Sequence, residues 1–411
     1  MHTVSSTRIR TVEEHAEIVA ALLSPAPAVA VPLGRARGRV LAADVVAAVS
    51  LPSFDNSAMD GYAVRAAELA GATAAAPVEL PVAADIPAGR TDVPALPNGA
   101  VARIMTGAPI PDGADAVLPV EQTDGGTERA RLYAQPEPAA FVRRAGEDTV
   151  AGDVVLTAGT VIGAAHIGLA AAVGAATLDV RRRPRVLVLS TGSELVGPGA
   201  PLQHGQIYES NGPMLAAAVE DAGGEAELLR FVPDDVEQFL ATLAARVRDG
   251  AVDLVLTSGG VSAGAYEVVK DALTGRGVEF AKVAMQPGGP QGAGRVPELG
   301  GVAVVTLPGN PVSSLVSFEV FVRPALRAAL GHPNPRRPVR TLPLEGRLTS
   351  PAGRRQFRRG VFTDTGAVRE IGTAASHRLG ALARAECLIV LPEAVTEAQD
   401  GSQVEVWPLD H

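Results

Sequence analysis

The sequence predicts a multi-domain protein whose centre is a doubly wound, mostly parallel α/β domain. Between residues 185 and 330, apolar runs alternate at short spacing with helical patterns. These runs are continuously apolar, which is typical of parallel strands buried on both faces. The flanking segments hold short apolar runs broken by Pro and Gly, which favour β domains. The length of 411 residues, at about 150 residues per domain, agrees with two to four domains.

The N-terminal part begins with a short amphipathic helix. In residues 11–23 (TVEEHAEIVAALL), Thr11 is the predicted N-cap and Glu14 completes a capping box. Short β-like runs follow, and the Ala-rich stretch at 150–178 predicts a second helix. We expect this helix to pack back on the N-terminal segment, which would make the first domain discontinuous.

Strand and helix patterns alternate through the central segment. Asn211 and Asp234 are predicted N-caps of two helices, and a further helix is expected over 266–273. Asn310 followed by Pro311 supplies the N-cap and first residue of a long helix to residue 330. The predicted strands are 185–190, 226–231, 252–258 and 302–307.

Two further segments are predicted to be β domains. One precedes the Ala-rich helix, and the other follows the Pro-rich linker at 333–338, where five short apolar runs predict a β-barrel or sandwich. The predicted domains are a discontinuous N-terminal dimerisation domain (1–50 and 142–180), a small β domain (51–141), an α/β domain (181–332) and a C-terminal β-barrel (333–411).

Composition excludes several classes of protein. The net charge of −9 argues against a nucleic-acid partner, and the sequence has no run of 18 apolar residues that would span a membrane. Cys387 is the one cysteine, so an internal disulfide or a multi-cysteine metal site is excluded. A cytoplasmic protein is expected. Two basic clusters, 181–185 and 354–359, are expected to be solvated or to face phosphate.

Three Gly-rich loops follow predicted parallel strands. They are STGSEL (190–195), TSGGVSAG (257–264) and LPGNPVSS (307–314). Ligands bind beyond the carboxyl ends of such strands, and helix N-termini attract phosphate. Carboxylates beside these loops suit Mg²⁺, and the predicted metal ligands are Glu194, Asp234, Asp235 and Glu267. The predicted ligand-binding residues are Gly259, Gly260, Ser262, Pro308, Gly309, Asn310 and Pro311.

The second loop also satisfies the G-x-S-x-G pattern of serine hydrolases, with Ser262 as the nucleophile. A hydrolase needs this Ser at the turn directly after the strand, but Gly259 and Gly260 intervene. No later His stands in an evident triad context. The hydrolase is therefore an alternative that covalent labelling with a fluorophosphonate would test.

Seven motifs resemble those of the MoeA family of molybdopterin molybdenumtransferases, which is related to the E domain of gephyrin. They span nearly the whole chain: PSFDNSAMDGYAVR (52–65), RIMTGAPIPDGADAVLPVE (103–121), VRRAGEDTVAGD (142–153), LSTGSEL (189–195), GQIYESNGPML (205–215), SGGVSAGAYEVVKDAL (258–273) and LPGNPVSS (307–314).

The resemblance implies an elongated homodimer of four-domain subunits. It also implies a reaction in which adenylylated molybdopterin and molybdate give molybdenum cofactor and AMP, with Mg²⁺. A molybdopterin adenylyltransferase would supply the substrate, and apo-molybdoenzymes would take the product. A paralogue that only binds molybdopterin or transfers adenylyl groups is the alternative of the same fold.

The resemblance also implies site residues. The implied catalytic residues are Asp60, Thr106, Asp148, Glu194, Glu267 and Lys270. We expect Asp60 and Thr106 to face the Gly-rich loops of the partner subunit. Where many members read K-P-G-K-P, this chain has Gln286 and Gly289 in place of both lysines. Lys282 or Arg295 is a candidate replacement.

Overall fold

A computed structural model describes residues 9–232, 235–248, 252–260 and 268–409. The chain divides into two compact units, which we call unit 1 and unit 2. Unit 1 comprises Met1–Val29, Gly159–Val161 and Val180–His411, and unit 2 comprises Ala30–Ala158 and Ile162–Asp179. Within the described ranges, no helix has the length and apolar character needed to cross a membrane.

The helices and strands are numbered in chain order. The helices are α1 (Val12–Ala21), α2 (Ala164–Ala172), α3 (Asn211–Asp221), α4 (Val236–Val247), α5 (Val268–Leu273), α6 (Pro311–Ser317), α7 (Arg323–Ala329) and α8 (Leu379–Leu382). The strands are β1 (Ala28–Pro32), β2 (Val45–Val46), β3 (Asn56–Ser57), β4 (Gly61–Val64), β5 (Val78–Ile86), β6 (Val101–Ile104), β7 (Ala116–Pro119), β8 (Arg129–Leu132), β9 (Val142–Arg143), β10 (Val154–Leu156), β11 (Thr177–Arg181), β12 (Arg185–Thr191), β13 (Leu195–Val196), β14 (Ile207–Tyr208), β15 (Glu225–Val232), β16 (Leu254–Ser258), β17 (Val278–Lys282), β18 (Met285–Gln286), β19 (Pro290–Val296), β20 (Val302–Leu307), β21 (Arg340–Glu345), β22 (Leu348–Thr349), β23 (Arg355–Phe362), β24 (Val368–Glu370), β25 (Cys387–Leu391), β26 (Glu397–Ala398) and β27 (Gln403–Pro408).

The principal sheet of unit 1 has six strands in the order β15-β12-β16-β20-β19-β17. The first four are parallel, which confirms the predicted mostly parallel sheet, and the last two add antiparallel pairings. Apolar residues cover both faces in two separate clusters, as expected for strands without alternation. The antiparallel edge was not predicted, because β19 (PQGAGRV) lacks a continuous apolar pattern.

Two predicted helix caps are shifted by one residue. Ser210, not Asn211, occupies the N-cap of α3, so Asn211 is the first helical residue. Asp235, not Asp234, is the N-cap of α4, where its side chain accepts from Gln238 N at 2.8 Å. Adjacent polar residues compete for a cap, and the sequence pattern leaves their order undecided.

A long helix follows β20, as predicted. Asn310 is its N-cap and Pro311 its first residue, and helical structure continues to residue 329 through a π-helical turn at Phe318–Val322. Within that turn Glu319 is buried and pairs with Arg337, Oε2 to Nε at 2.7 Å. A π turn adds one residue to the helical ring, and this one carries the buried carboxylate.

The C-terminal part of unit 1 is the predicted β-barrel. Its strands follow the order β23-β24-β21-β27-β25, and the pairing of β23 with β25 closes the ring. Inward residues include Leu344, Val368, Ile389 and Val406, all nearly fully buried. Closure leaves no free edge among these five strands.

Unit 2 contains the predicted small β domain. Five strands lie in the order β7-β4-β6-β5-β8. Separately, β2 pairs with β10, and α2 is the helix expected in the Ala-rich stretch. In the β2–β10 pair, Val46 lies opposite Val154, and these residues are 53% and 52% exposed.

Helix α1 begins with the predicted capping box of Thr11 and Glu14 and buries His15 completely in unit 1. Burial, with Arg10 nearby, lowers the pKa of His15 from 6.5 to about 4. The folded state favours the neutral His15 ring. This preference adds to the free energy of unfolding above pH 6.5, and the contribution is lost as pH falls toward 4.

We expect His15→Leu to remove the contribution of this histidine to the pH dependence of the free energy of unfolding. That contribution amounts to about 3 kcal/mol between pH 6.5 and pH 4. Urea unfolding of wild type and variant between pH 7 and pH 4 would measure it. The matched control is His204→Leu at an exposed position, which should keep the wild-type slope. Parallel pH profiles of wild type and His15→Leu would contradict the prediction.

Candidate functional site

A cavity of about 1290 Å³ lies beyond the carboxyl ends of β12, β16 and β20 in unit 1. Ser190, Ser258 and Leu307 are aligned in register there, because the three strands are parallel neighbours. The Gly-rich loops that follow these strands line the cavity, as predicted.

The cavity floor is held by a hydrogen-bond network from the start of α3. Buried Glu209 accepts through Oε1 from the Ser190 hydroxyl at 2.9 Å and from Gly212 N at 2.6 Å. Asn211 donates through Nδ2 to Ser258 Oγ at 2.8 Å and to Gly309 O at 2.6 Å. These two side chains therefore tie all three loops together.

Backbone conformation explains the glycines at the end of β16. Gly260 has φ +69°, and a Cβ there would lie 2.8 Å from Cγ2 of Val269. Gly259 N donates to Leu307 O at 3.1 Å, which joins this turn to the end of β20. An L residue at 260 would be strained as well as crowded.

Glu194 stands exposed in the cavity wall and folds back over the loop after β12. A Cβ on Gly192 would lie 2.7 Å from both of its carboxylate oxygens. The glycine therefore makes the space in which this carboxylate sits. Its position on the rim leaves the negative charge facing the cavity.

The C-terminal barrel supplies another wall. Residues 374–377 line the cavity, and Ser376 accepts from Asn310 Nδ2 through Oγ at 3.0 Å and from Val312 N through its carbonyl at 3.1 Å. Asn310 thus uses its side chain to join the loop after β20 to the barrel, rather than to cap its own helix.

Arg359 of β23 lies close to Gly372, two residues before that barrel segment, and does not itself line the cavity. It is fully buried, and within the described ranges none of its three guanidinium nitrogens has a hydrogen-bond partner. Its Nη2 lies 3.8 Å from the position of a Cβ on Gly372. Burial lowers the pKa of this guanidinium, although Glu370 nearby opposes the shift. An unpaired buried charge of this kind is costly unless an anion accompanies it.

The structure brings some of the predicted residues together at the cavity and leaves others apart from it. Those in the cavity wall are Glu194, Gly259, Gly260, Pro308, Gly309, Asn310 and Pro311. Lys270 is half-buried in α5 and its backbone N donates to Gly260 O at 3.1 Å. Ser262, Asp234 and Glu267 lie outside the described residues.

Three predicted catalytic residues belong to unit 2. Asp60 Oδ1 accepts from Thr106 N at 2.7 Å and from Thr106 Oγ1 at 2.8 Å. These two bonds hold the pKa of the Asp60 carboxyl below its usual value. Asp148 is exposed, and its backbone N donates to Leu51 O at 3.0 Å.

The described residues contain no group of three or more His, Cys, Asp or Glu side chains placed to hold a metal. Asp235 is occupied as a helix cap and does not line the cavity. Glu194 is the predicted ligand that does. Mg²⁺ commonly binds one or two protein carboxylates together with substrate phosphates, so a single carboxylate on the cavity rim fits this mode.

Of the two candidate replacements for the missing lysines, Arg295 lies away from the cavity, and Lys282 lies on the strand next to its wall. Arg295 donates to Gly301 O at 3.0 Å and to Leu22 O at 2.7 Å, at the opposite end of β20 from the cavity. Lys282 is exposed and does not itself line the cavity, but it lies opposite Pro290 of the cavity wall in the β17–β19 pair, so it stays a candidate. Gln286 lies in the cavity wall, where its Oε1 accepts from Gln356 Nε2 at 2.8 Å.

Sequence reasoning missed Glu209, Asn211, Ser376 and Arg359 as site residues. Asn211 could have been found from the sequence, because its place at a predicted helix start is visible there, but that pattern also fits a simple N-cap. Arg359 lies in the basic cluster 354–359, which was expected to be solvated or to face phosphate. Its complete burial is a property of barrel closure that no local pattern displays.

Three family models match successive parts of the chain. They are described as the MoeA N-terminal region (domain I and II), over residues 10–174, a probable molybdopterin binding domain, over 187–328, and the MoeA C-terminal region (domain IV), over 341–409.

Whole proteins match with similar coverage. The chain is 55% identical to molybdopterin molybdenumtransferase 2 of Mycobacterium tuberculosis, over 98% of this chain and 100% of that protein. It is 38% identical to molybdopterin molybdenumtransferase 1 of the same organism, over 97% and 98%. A crystal structure of the molybdopterin biosynthesis moeA protein of a Pyrococcus species matches with a TM-score of 0.83 at 31% identity, over 98% of this chain and 100% of that one. The chain therefore belongs to the MoeA family of molybdopterin molybdenumtransferases.

Proposed function

We propose that this protein inserts molybdenum from molybdate into adenylylated molybdopterin, with release of AMP. The observation that carries the proposal is the cavity beyond β12, β16 and β20, whose loops present backbone groups to an anionic nucleotide. Its volume of about 1290 Å³ is ample for a pterin nucleotide together with an oxyanion.

Arg359 is the residue we assign to the oxyanion. It offers a buried guanidinium that has no hydrogen-bond partner among the described residues and lies close to Gly372, two residues before the barrel segment that lines the cavity. Molybdate has the negative charge and oxygen acceptors that such a group needs. This assignment would explain how the site functions with Gln286 and Gly289 in place of two lysines.

A Mg²⁺ ion would be held by Glu194 and the substrate's pyrophosphate, with Glu267 and Asp234 as further candidates from the sequence. When bound, it would offset the charge of the phosphates as the bond to AMP breaks. The protein has one cysteine, so it lacks the soft ligands that a molybdenum centre prefers. The dithiolene of the substrate would take the metal.

The cavity side chains that remain would mainly position the loops and the barrel wall around the substrate. Asn211 and Glu209 fix the three loops. The backbone N–H groups of these loops are therefore in position before the nucleotide binds. Asn310 and Ser376 hold the barrel wall against the same loops. We further propose that a molybdopterin adenylyltransferase supplies the substrate in the cytoplasm, and that apo-molybdoenzymes receive the product.

Reconstitution of an apo-molybdoenzyme tests the proposal. Purified protein, adenylylated molybdopterin, molybdate and Mg²⁺ should restore activity with stoichiometric release of AMP. A protein that binds the pterin nucleotide but releases no AMP would instead be the binding-only paralogue.

We predict a homodimer. The exposed pair Val46 and Val154 in unit 2, with Val49 and Val150 42% and 54% exposed, supports an apolar contact surface. Light scattering at micromolar concentration should give twice the 42.0 kDa chain mass, and Val154→Glu should shift the protein to monomer. The control Val339→Glu, at an exposed position of unit 1, should remain dimeric. A monomeric wild type would overturn the prediction.

We expect Gly289→Lys to strengthen molybdate binding about fivefold, which corresponds to about 1 kcal/mol. A Cβ at this position would meet only Val283 O at 3.6 Å and Met285 O at 3.8 Å, so the backbone accepts a side chain. Calorimetric titration of molybdate would measure the change, with Gly289→Gln as the uncharged control. Equal affinity of the Lys and Gln variants would mean that the added charge does not reach the oxyanion.

A further inference from the structure

Two large apolar side chains on β14 are exposed where they meet the cavity. Ile207 is 54% exposed and Tyr208 is 44% exposed, and both belong to the cavity wall. Leu202, on the same loop, is 45% exposed but does not line the cavity. Apolar surface left open beside polar loops is typical of a place that a ligand covers.

Tyr208 is unusual in the chemistry it offers there. Among the described residues that line the cavity, the aromatic side chains are Tyr208 and His377. Most of the remaining wall consists of Ser, Gly, Pro and other residues without a π-face. Only 3% of the chain is aromatic, so few side chains could offer a π-face to a ligand.

The ring is held in place before any ligand binds. The Tyr208 hydroxyl donates to Ala200 O at 2.9 Å, and Val196 lies opposite Tyr208 in the β13–β14 pair. On the following residue, Glu209 N donates to Val196 O at 2.9 Å. A ring tethered at its far end loses little conformational freedom when a flat group stacks on it.

Glu194 directly precedes β13 of the same two-stranded ribbon. Ile207 N donates to Glu194 O at 2.9 Å, so the residue with the carboxylate lies beside the strand that carries the ring. A ligand with a flat group at one end and phosphates at the other can therefore contact both through a single ribbon.

We propose that Tyr208, flanked by Ile207, is a stacking platform for the planar nitrogen heterocycle of the substrate. The proposal rests on the proposed function, because it takes a nucleotide as the ligand. Adenine and pterin share the relevant chemistry, a flat conjugated ring with a π-face, and binding measurements on each distinguish them.

The test compares Tyr208→Ala with Tyr208→Phe, using AMP and 6-carboxypterin as separate probes. Titration calorimetry and pterin fluorescence give the two values of Kd. We expect Tyr208→Ala to raise Kd roughly tenfold or more for the probe whose ring stacks there, the scale for loss of one base–aromatic contact. Tyr208→Phe keeps the ring and loses only the hydroxyl tether, so its Kd should lie much closer to the wild-type value than to that of Tyr208→Ala. Leu202→Ala, a truncation on the same loop outside the cavity, should leave both values unchanged.

Each result decides the matter. If wild type binds a probe and Tyr208→Ala binds it equally well, the platform is refuted while the proposed function stands. If Tyr208→Phe is as weak as Tyr208→Ala, the hydroxyl tether rather than the ring accounts for binding, and the platform is again refuted. If wild type binds neither probe but reconstitutes the molybdoenzyme, the platform is refuted alone, whereas failure of reconstitution refutes the proposed function.

Discussion

Replacement of Glu194 by Gln should lower the rate of cofactor formation by at least about a hundredfold, the usual scale for a charge that acts on the transition state. Gln keeps the size and hydrogen-bonding capacity of the side chain, and its amide still fits over Gly192. Binding of the pterin nucleotide should persist, because the function we propose assigns its phosphates to the Gly-rich loops that line the cavity. The variant therefore separates chemistry from binding.

Single-turnover release of AMP, with nucleotide affinity measured in parallel, checks this expectation. Glu220→Gln is the matched control, since Glu220 is an exposed carboxylate on α3 away from the cavity wall. Near-normal AMP release by Glu194→Gln would remove Glu194 from the mechanism. Loss of nucleotide affinity at an unchanged single-turnover rate would make it a substrate-positioning residue instead.

The parts of this site that follow from the sequence are those set by local patterns. The carboxyl ends of β12, β16 and β20 could be placed because continuous apolar runs and short spacing specify parallel neighbours. The N-cap and first residue of the long helix after β20 could be placed because Asn310 and Pro311 have fixed local preferences. Each of these features depends on neighbours in sequence.

The parts that did not follow depend on contacts between distant segments. Asn211 was expected to cap α3, but its amide joins Ser258 to Gly309, and those partners are 47 and 98 residues away. Arg295 was a candidate for the oxyanion, but its register opposite Ala303 places it at the far end of the sheet. A sequence pattern states which residue types are present, whereas register decides which end of a strand they occupy.

Arg359 gives the second large effect, because its removal should change stability and function in opposite directions. We expect Arg359→Met to leave the free energy of unfolding, in the absence of oxyanion, unchanged or higher by about 1 kcal/mol or more. Met has a similar length, and it removes a buried charge that lacks a hydrogen-bond partner within the described residues. Molybdate affinity should fall by about a hundredfold, equivalent to about 3 kcal/mol.

The neighbouring Arg358 is the control, since it lies on the same strand but is paired. It donates to Glu370 Oε1 at 3.1 Å and to Thr349 O at 2.7 Å. Arg358→Met should therefore destabilise the protein by about 1–3 kcal/mol, because two partners are left without a donor, while molybdate affinity is retained. Urea unfolding and molybdate titration on both variants check the pair. If Arg359→Met is destabilised as much as Arg358→Met and still binds molybdate, Arg359 is a structural residue that pairs electrostatically with Glu370. If instead stability is kept and molybdate binding is lost, the buried charge of Arg359 serves molybdate binding and lowers the stability of the barrel.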